Sequence, residues 1–316
     1  MERRVRRILS IDGGGVRGIL PALFLRAFEE YTGKNTSDLF DLVIGTSTGG
    51  LVALALTHSR RALTAREMVD VYLSHANKIF GSPRWALAAV LSGPKYNNKG
   101  LRELTALLLG EGRLSQAKIP TAVTAYDIVE RRPRVLKSWN AAKDARRDCY
   151  LWEAALATSA APTYFPAVRI GERTLIDGGV FANNPSVIAL AEARLMWPGD
   201  DVLLVSLGTG IGAQLGRLPD EVNDWGTLHW VLPLIDVMFD GSSDSINYVA
   251  KALLGGDRYY RFQITIHPDL VGMDNVSPSH LEQLRAIGAR EVDAQRDRIS
   301  MAVSALSPPT TITKSD

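Results

Sequence analysis

The feature that most constrains this chain is Gly45-Thr46-Ser47-Thr48-Gly49, a G-x-S-x-G motif between an apolar run at residues 39–44 and a helix-forming stretch at residues 50–56. A strand that turns sharply into a helix is the setting in which this motif lifts a serine clear of the backbone. The flanking glycines permit a turn too tight for larger side chains. The turn leaves Ser47 at the start of the next helix, where unpaired amides and the helix dipole favour negative charge. The bare motif is common by chance, but between a buried strand and a helix it is much rarer.

The patterning around the motif alternates. Residues 7–11, 39–44, 120–126, 135–139, 174–176, 202–207 and 259–266 read as strands. Residues 16–31, 48–57, 151–157 and 186–196 have helical spacing, and residues 278–303 read as one long final helix. Thr64-Ala65-Arg66-Glu67 is a capping box that opens a helix to about residue 80. Such alternation predicts an α/β fold with a largely parallel central sheet. No linker-like stretch divides the chain, so one domain is expected over residues 1–306, with a disordered polar tail at 307–316.

A chain of 316 residues can bury a large core, and 46% hydrophobic with 22% charged residues is ordinary for a soluble protein. A net charge of +2 argues against duplex nucleic acid as a partner. The single Cys149 has no partner for an internal disulfide, which suits a reducing compartment. No segment is long and apolar enough to span a bilayer, and the basic start runs into a strand too soon for a signal peptide, so a cytoplasmic protein is expected.

Two further glycine-rich motifs carry chemistry. In Asp12-Gly13-Gly14-Gly15-Val16-Arg17-Gly18, three successive glycines before a helix point amides at one spot and make an anion site. Opposite an activated serine, that anion is the tetrahedral oxyanion, with Gly13, Gly14, Gly15 and Arg17 as candidate residues. Arg17 reads nearly as well as a structural ion-pair partner. The stretch also fits the dinucleotide fingerprint G-x-G-x-x-G, with Asp38 at the spacing of a ribose-binding acid. Asp12 would oppose a pyrophosphate, however, and that reading leaves the serine turn unexplained. In Asp177-Gly178-Gly179, an aspartate at a strand end is freed by two glycines to enter a site; alone it reads as a simple turn.

Taken together, these motifs resemble those of the patatin-like phospholipases. Thr158-Ser159-Ala160-Ala161-Pro162-Thr163-Tyr164-Phe165-Pro166 and Ser206-Leu207-Gly208-Thr209-Gly210 also look like segments of that family. The resemblance covers roughly residues 5–210 and fades beyond them. It implies a three-layer patatin-like α/β fold with a mostly parallel sheet flanked by helices. It also implies a Ser47 nucleophile, an Asp177 base, an oxyanion loop at Gly13, Gly14 and Gly15, and no cofactor or metal. The implied activity is phospholipase A-type hydrolysis of membrane phospholipids at the inner face of the membrane. The alternatives are an esterase or thioesterase acting on soluble acyl substrates and, from a different class, a nucleotide-binding protein.

In a serine–aspartate dyad, Asp177 takes the serine proton directly and needs a partly desolvated setting to do so. The competing triad would draw on His229, His267 or His280, all of which follow Asp177, but none lies in a site-like sequence. Apolar stretches at residues 85–91 and 225–239 suit a lid or interfacial segment, and equally a core. Arg131, Arg132, Arg134, Arg146 and Arg147 could meet anionic headgroups, although such clusters are usually solvated surface. Compact bacterial members of the family include antiviral effectors switched on by cyclic oligonucleotides. That resemblance in size implies a cyclic-oligonucleotide activator here, although no motif for one is present.

Overall fold

The computed structural model describes residues 3–80, 93–213 and 226–306, and of residues 227–233 the backbone only. The expected tail at 307–316, the stretch at 85–91 and the His229 side chain lie outside the described residues.

Ten strands are present among these residues: β1 (Val5–Ile11), β2 (Leu42–Gly45), β3 (Thr121–Asp127), β4 (Arg132–Lys137), β5 (Val168–Ile170), β6 (Arg173–Asp177), β7 (Asp201–Leu207), β8 (Ile211–Gly212), β9 (Tyr259–Phe262) and β10 (Thr265–Ile266). Eight build the central sheet in the order β5-β6-β3-β2-β1-β7-β9, with β4 also on β3. The pairs among β9, β7, β1, β2 and β3 are parallel, and β4, β5 and β6 join antiparallel.

The sheet is buried on both faces because its strands alternate between two cores. Leu9, Ile11, Val43, Val123, Leu203, Val205 and Leu207 face one core. Ile8, Leu42, Ile44, Ala122, Val202 and Leu204 face the other. Helices α1 (Ile19–Thr32), α2 (Thr48–Leu56), α3 (Ala65–Phe80) and α4 (Leu151–Thr158) cover the first core. Helix α5 (Ser186–Met196) and the C-terminal end of α6 (Thr227–Leu254) cover the second. This is the three-layer, mostly parallel arrangement that strands apolar on both faces require. Cys149 is buried, and burial pushes its thiol up to about 12.

Several boundaries depart from the sequence reading. The strand expected at 135–139 is β4, which ends at Lys137, and Ser138–Ala141 turn helical. Leu39 ends a short helical turn, Thr36–Leu39, and β2 starts only at Leu42. Between them Asp41 turns aside to bond Arg7 through the backbone amide and the guanidinium, at 2.8 and 2.8 Å. The final helix is two, α7 (Pro278–Ala294) and α8 (Arg296–Leu306), parted at Gln295. The reading at 259–266 divides as well: β9 stays in the main sheet while β10 pairs with β8 in a separate ladder.

Candidate active site

The serine turn follows from the ends of two strands. β3 pairs with β2 through Thr121, Ala122 and Val123, and with β6 through Ala125, Tyr126 and Asp127. β4 occupies the opposite edge along the whole length from Ala122 to Asp127. β2 and β6 therefore share one edge of β3 and run toward each other. β2 ends at Gly45 opposite Val123, and β6 ends at Asp177 opposite Ala125. The chain leaving β2 must turn away at once, and it does so at Ser47.

Ser47 takes φ 55° and ψ −125°, a conformation that a residue with a side chain adopts only under strain. Gly45 and Gly49 are glycines because the turn is packed: a methyl on Gly45 would lie 2.2 Å from the Gly49 carbonyl, and one on Gly49 would lie 2.4 Å from the Ile11 carbonyl. The turn is tied from below. Thr46 Oγ1 donates to the Ala182 carbonyl and meets Thr124 Oγ1, each at 2.7 Å. The Ser47 amide donates to Thr158 Oγ1 at 2.9 Å.

Asp177 is fully buried. Its Oδ1 accepts the Gly179 amide at 2.7 Å, and its own amide donates to the Ala160 carbonyl at 3.0 Å. Desolvation pushes its pKa up to about 7, against the opposing pull of the Gly179 amide and the Ser47 hydroxyl. Asp177 Oδ2 makes no formed hydrogen bond. Ser47 and Asp177 are therefore neighbours, with Oδ2 not joined to the hydroxyl by a formed hydrogen bond.

The glycine loop lies beside Ser47: a methyl on Gly13 would sit 3.1 Å from Ser47 Cβ. The Gly13 amide donates to the Asn183 carbonyl at 3.1 Å. The Gly13 carbonyl accepts Thr209 Oγ1 at 2.6 Å. Arg17 is buried and donates to the carbonyls of Gly210 at 3.1 Å and Gly14 at 3.4 Å. The Val16 amide donates to the Met273 carbonyl at 2.9 Å. The amides of Gly14, Gly15 and Thr48 form no hydrogen bond among the described residues. Asp12 is clamped from behind by Arg261, whose two terminal nitrogens reach its two oxygens at 2.8 and 2.5 Å, and by Ser243 Oγ at 2.9 Å.

A cleft of about 610 Å³, counted to its open mouth, leads away from Ser47. Gly15, Thr48 and Ser159 line it near the nucleophile. Leu51, Tyr72, Ala76, Ile79, Phe80, Leu101 and Phe165 make an apolar wall, with Phe239 and Met273 opposite. Its apolar lining suits an acyl chain.

Other candidates are placed elsewhere. Asp38 precedes β2 and bonds Lys118 at 2.7 Å, at the opposite end of the sheet from the glycine loop. It has no part in a nucleotide site with Gly13, Gly15 and Gly18. None of the described histidine side chains lines the cleft. His267 is exposed beside Asp269, and His280 is buried on α7. Arg132 and Arg134 share Glu130, and Arg146 and Arg147 share Asp144, which offsets part of the expected basic cluster's charge. Among the described residues no group of three potential ligands is arranged to hold a metal ion. No described helix is long and apolar enough to cross a membrane.

Sequence reasoning marked residues 158–166 and 206–210 without giving them work. Thr158 holds the serine turn, Ala160 holds Asp177, and Thr209 holds the glycine loop. Arg261 and Met273 carried no sequence signal.

Residues 9–190 match the family model described as Patatin-like phospholipase. Patatin-like protein 1 of Arabidopsis thaliana is 35% identical, over 90% of this chain and 80% of its own length. Patatin-like protein 2 of the same plant is 34% identical, over 89% and 81%. These alignments run well past residue 210, where the motifs alone had stopped being recognisable. VipD from Legionella pneumophila, a solved structure, is 13% identical with a TM-score of 0.47, covering 96% of this chain and 67% of its own.

Proposed function

This chain belongs to the patatin-like phospholipase family, hydrolases acting on lipid esters, and on that premise we propose that it is a phospholipase A-type enzyme that cleaves membrane phospholipids through a Ser47–Asp177 dyad. The observation that carries the reading is the meeting of two strand ends on one edge of β3. It sets a strained serine against a buried aspartate whose pKa lies near 7.

A base of that strength is partly ionised at neutral pH and can hold a proton in transit. Ionised Asp177 takes the Ser47 proton as Oγ attacks the ester carbonyl. The amides of Gly14, Gly15 and Thr48 hold the resulting oxyanion, while Gly13 and Arg17 brace the loop that presents them. Collapse expels the lysophospholipid oxygen, which takes the proton from Asp177 and leaves the acyl group on Ser47. Water then attacks that ester, Asp177 accepts its proton, and Ser47 departs with the proton to release the fatty acid. Every proton moves among Ser47, Asp177, water and the leaving group, so the cycle calls for no cofactor.

Peripheral membrane contact has support in α6. Ile235 and Phe239 of this helix are buried, and Phe239 lines the cleft, while Leu234, Val237 and Met238 on the same turns are exposed. An apolar outer face beside an acyl cleft suits a lipid surface.

The test is fatty-acid release from mixed phospholipid vesicles by the wild type and by Ser47→Ala. Release by the wild type alone supports the reading. Hydrolysis confined to soluble esters or thioesters would replace it with the esterase alternative. A cyclic-oligonucleotide gate, and with it a role in antiviral defence, is a separate proposal. It requires vesicle hydrolysis that rises on adding a cyclic di- or trinucleotide, and equal rates with and without the panel remove it.

A further inference from the structure

Asn183 lies in the segment that follows Asp177-Gly178-Gly179, and the cycle above gives it no role. It is buried. Its backbone carbonyl accepts the Gly13 amide, and its Nδ2 donates to the Gly13 carbonyl at 3.4 Å. That contact fixes the sense of the carboxamide, because turning it over would set oxygen against oxygen. Oδ1 is therefore the free end, and it is buried without a partner. Asp177 Oδ2 is in the same condition.

The two orphaned acceptors flank one serine. A methyl placed on Gly13 would lie 2.3 Å from Asn183 Oδ1 and 3.1 Å from Ser47 Cβ, so the carboxamide is beside the nucleophile across Gly13 Cα. The Ser47 hydroxyl is the neighbour that eases ionisation of Asp177. Ser47 has a single proton to offer, and acylation consumes it. Once the acyl-enzyme has formed, both acceptors are without that donor, and the water that must then enter carries two O–H groups.

We propose that Asn183 is a water-positioning residue for deacylation: its Oδ1 accepts one proton of the hydrolytic water while Asp177 takes the other. The water oxygen, held by both protons, turns a lone pair on the acyl carbonyl. The new C–O bond forms as the O–H bond to Asp177 breaks, and Asn183 keeps its hydrogen bond throughout without being protonated. Collapse of the tetrahedral intermediate breaks the bond to Ser47 Oγ, and the proton on Asp177 passes to it. This assignment rests on the dyad reading.

The experiment measures how one acyl-enzyme divides between two acceptors. The full-length protein is given a soluble short-chain p-nitrophenyl ester in buffer containing methanol, and the methyl ester and free acid are quantified. The ratio is internal to each active molecule, so it does not depend on how much of a variant folds. Asn183→Leu, which removes the acceptor, is expected to raise the ratio of methyl ester to acid by about tenfold, the worth of one good hydrogen bond. Asn183→Asp retains an acceptor but loses the donor to Gly13, and is expected to stay within about threefold of the wild type. An unchanged ratio in Asn183→Leu, or an equal rise in both variants, would overturn the proposal. The second outcome would mean that Asn183 merely holds the glycine loop. A wild type that forms no acyl-enzyme on Ser47, read by mass spectrometry, would instead remove the dyad beneath it.

Discussion

Gly45 and Asp177 end two strands that run head to head along one edge of β3, opposite Val123 and Ala125. Thr124, the residue between, bonds Thr46 at 2.7 Å and leaves no room for a side chain on Gly178, where a methyl would sit 2.1 Å from its hydroxyl. The spacing of the two strand ends that carry Ser47 and Asp177 is thus set by the register of a sheet, which suits the proton exchange proposed for them.

Removing either member of the pair should abolish the reaction. Ser47→Ala and Asp177→Asn are each expected to lower kcat on the order of 10⁴ or more, because such residues act as a unit. Circular dichroism should report an unchanged fold. His229→Ala, His267→Ala and His280→Ala should each remain within about tenfold of the wild type, about 1.4 kcal/mol in barrier. Near-full activity in either dyad variant, or a collapse in one histidine variant that still folds, would point to another base.

The pH profile should carry the imprint of Asp177. Its base form is needed, so kcat/KM on a soluble ester is expected to rise through an apparent pKa of about 7. Activity at pH 5 should be about a hundredfold below the plateau, tenfold for each unit below that value. Stability runs the other way. The folded value of about 7 exceeds the unfolded value of about 3.9, so this group's contribution is full below about pH 4 and is lost as pH rises through 7. Asp177→Asn should therefore melt higher than the wild type above pH 7, with the gap closing toward pH 4. A rising limb near pH 4 would show that Asp177 is not desolvated.

Crowding the glycine loop should slow turnover. A methyl on Gly14 would lie 2.3 Å from Thr209 Oγ1, displacing the loop that Thr209 holds. Gly14→Ala is expected to lower kcat by about 10² to 10³, the usual effect of losing an oxyanion donor, and to change KM less. Gly15→Ala should also cost stability, because Gly15 has φ +58° and its methyl would sit 2.0 Å from the Met273 carbonyl. An intact kcat with raised KM would assign the loop to ground-state binding.

The outer face of α6 should matter on membranes only. Leu234→Asp, Val237→Asp and Met238→Asp together are expected to reduce hydrolysis of vesicles by at least about tenfold, since fully burying one such side chain contributes roughly 1.5–3 kcal/mol. Hydrolysis of a soluble short-chain ester should be unaffected. Equal losses on both substrates would mean that the face is structural.

Arg261 should prove a support of the glycine loop from far along the chain. Arg261→Met leaves the Asp12 carboxylate buried without its partner and is expected to destabilise the fold by about 3–5 kcal/mol in urea unfolding. Adding Asp12→Asn should recover part of that loss. Equal stability of the single and double variants would contradict the pairing.

The sequence by itself determined the layered fold, because apolar strands alternating with amphipathic helices have few other ways to bury both faces of a sheet. It also marked Ser47, Asp177 and the three glycines, because a tight turn before a helix and a freed aspartate leave local signatures in glycine. It placed β2 too early and joined two final helices into one, since Asp41 turning to Arg7 and the break at Gln295 depend on partners or geometry that periodicity does not record. The pairing of Ser47 with Asp177 came from the family resemblance, and the tertiary structure supplies what brings them close, the exchange of β2 for β6 along β3. The elevated pKa of Asp177 is likewise a property of burial, which no residue carries alone. Arg261, Met273 and Asn183 belong to the same class: each touches the glycine loop or Asp12 through a contact between residues distant in the chain, and such contacts exist only once the layers have closed.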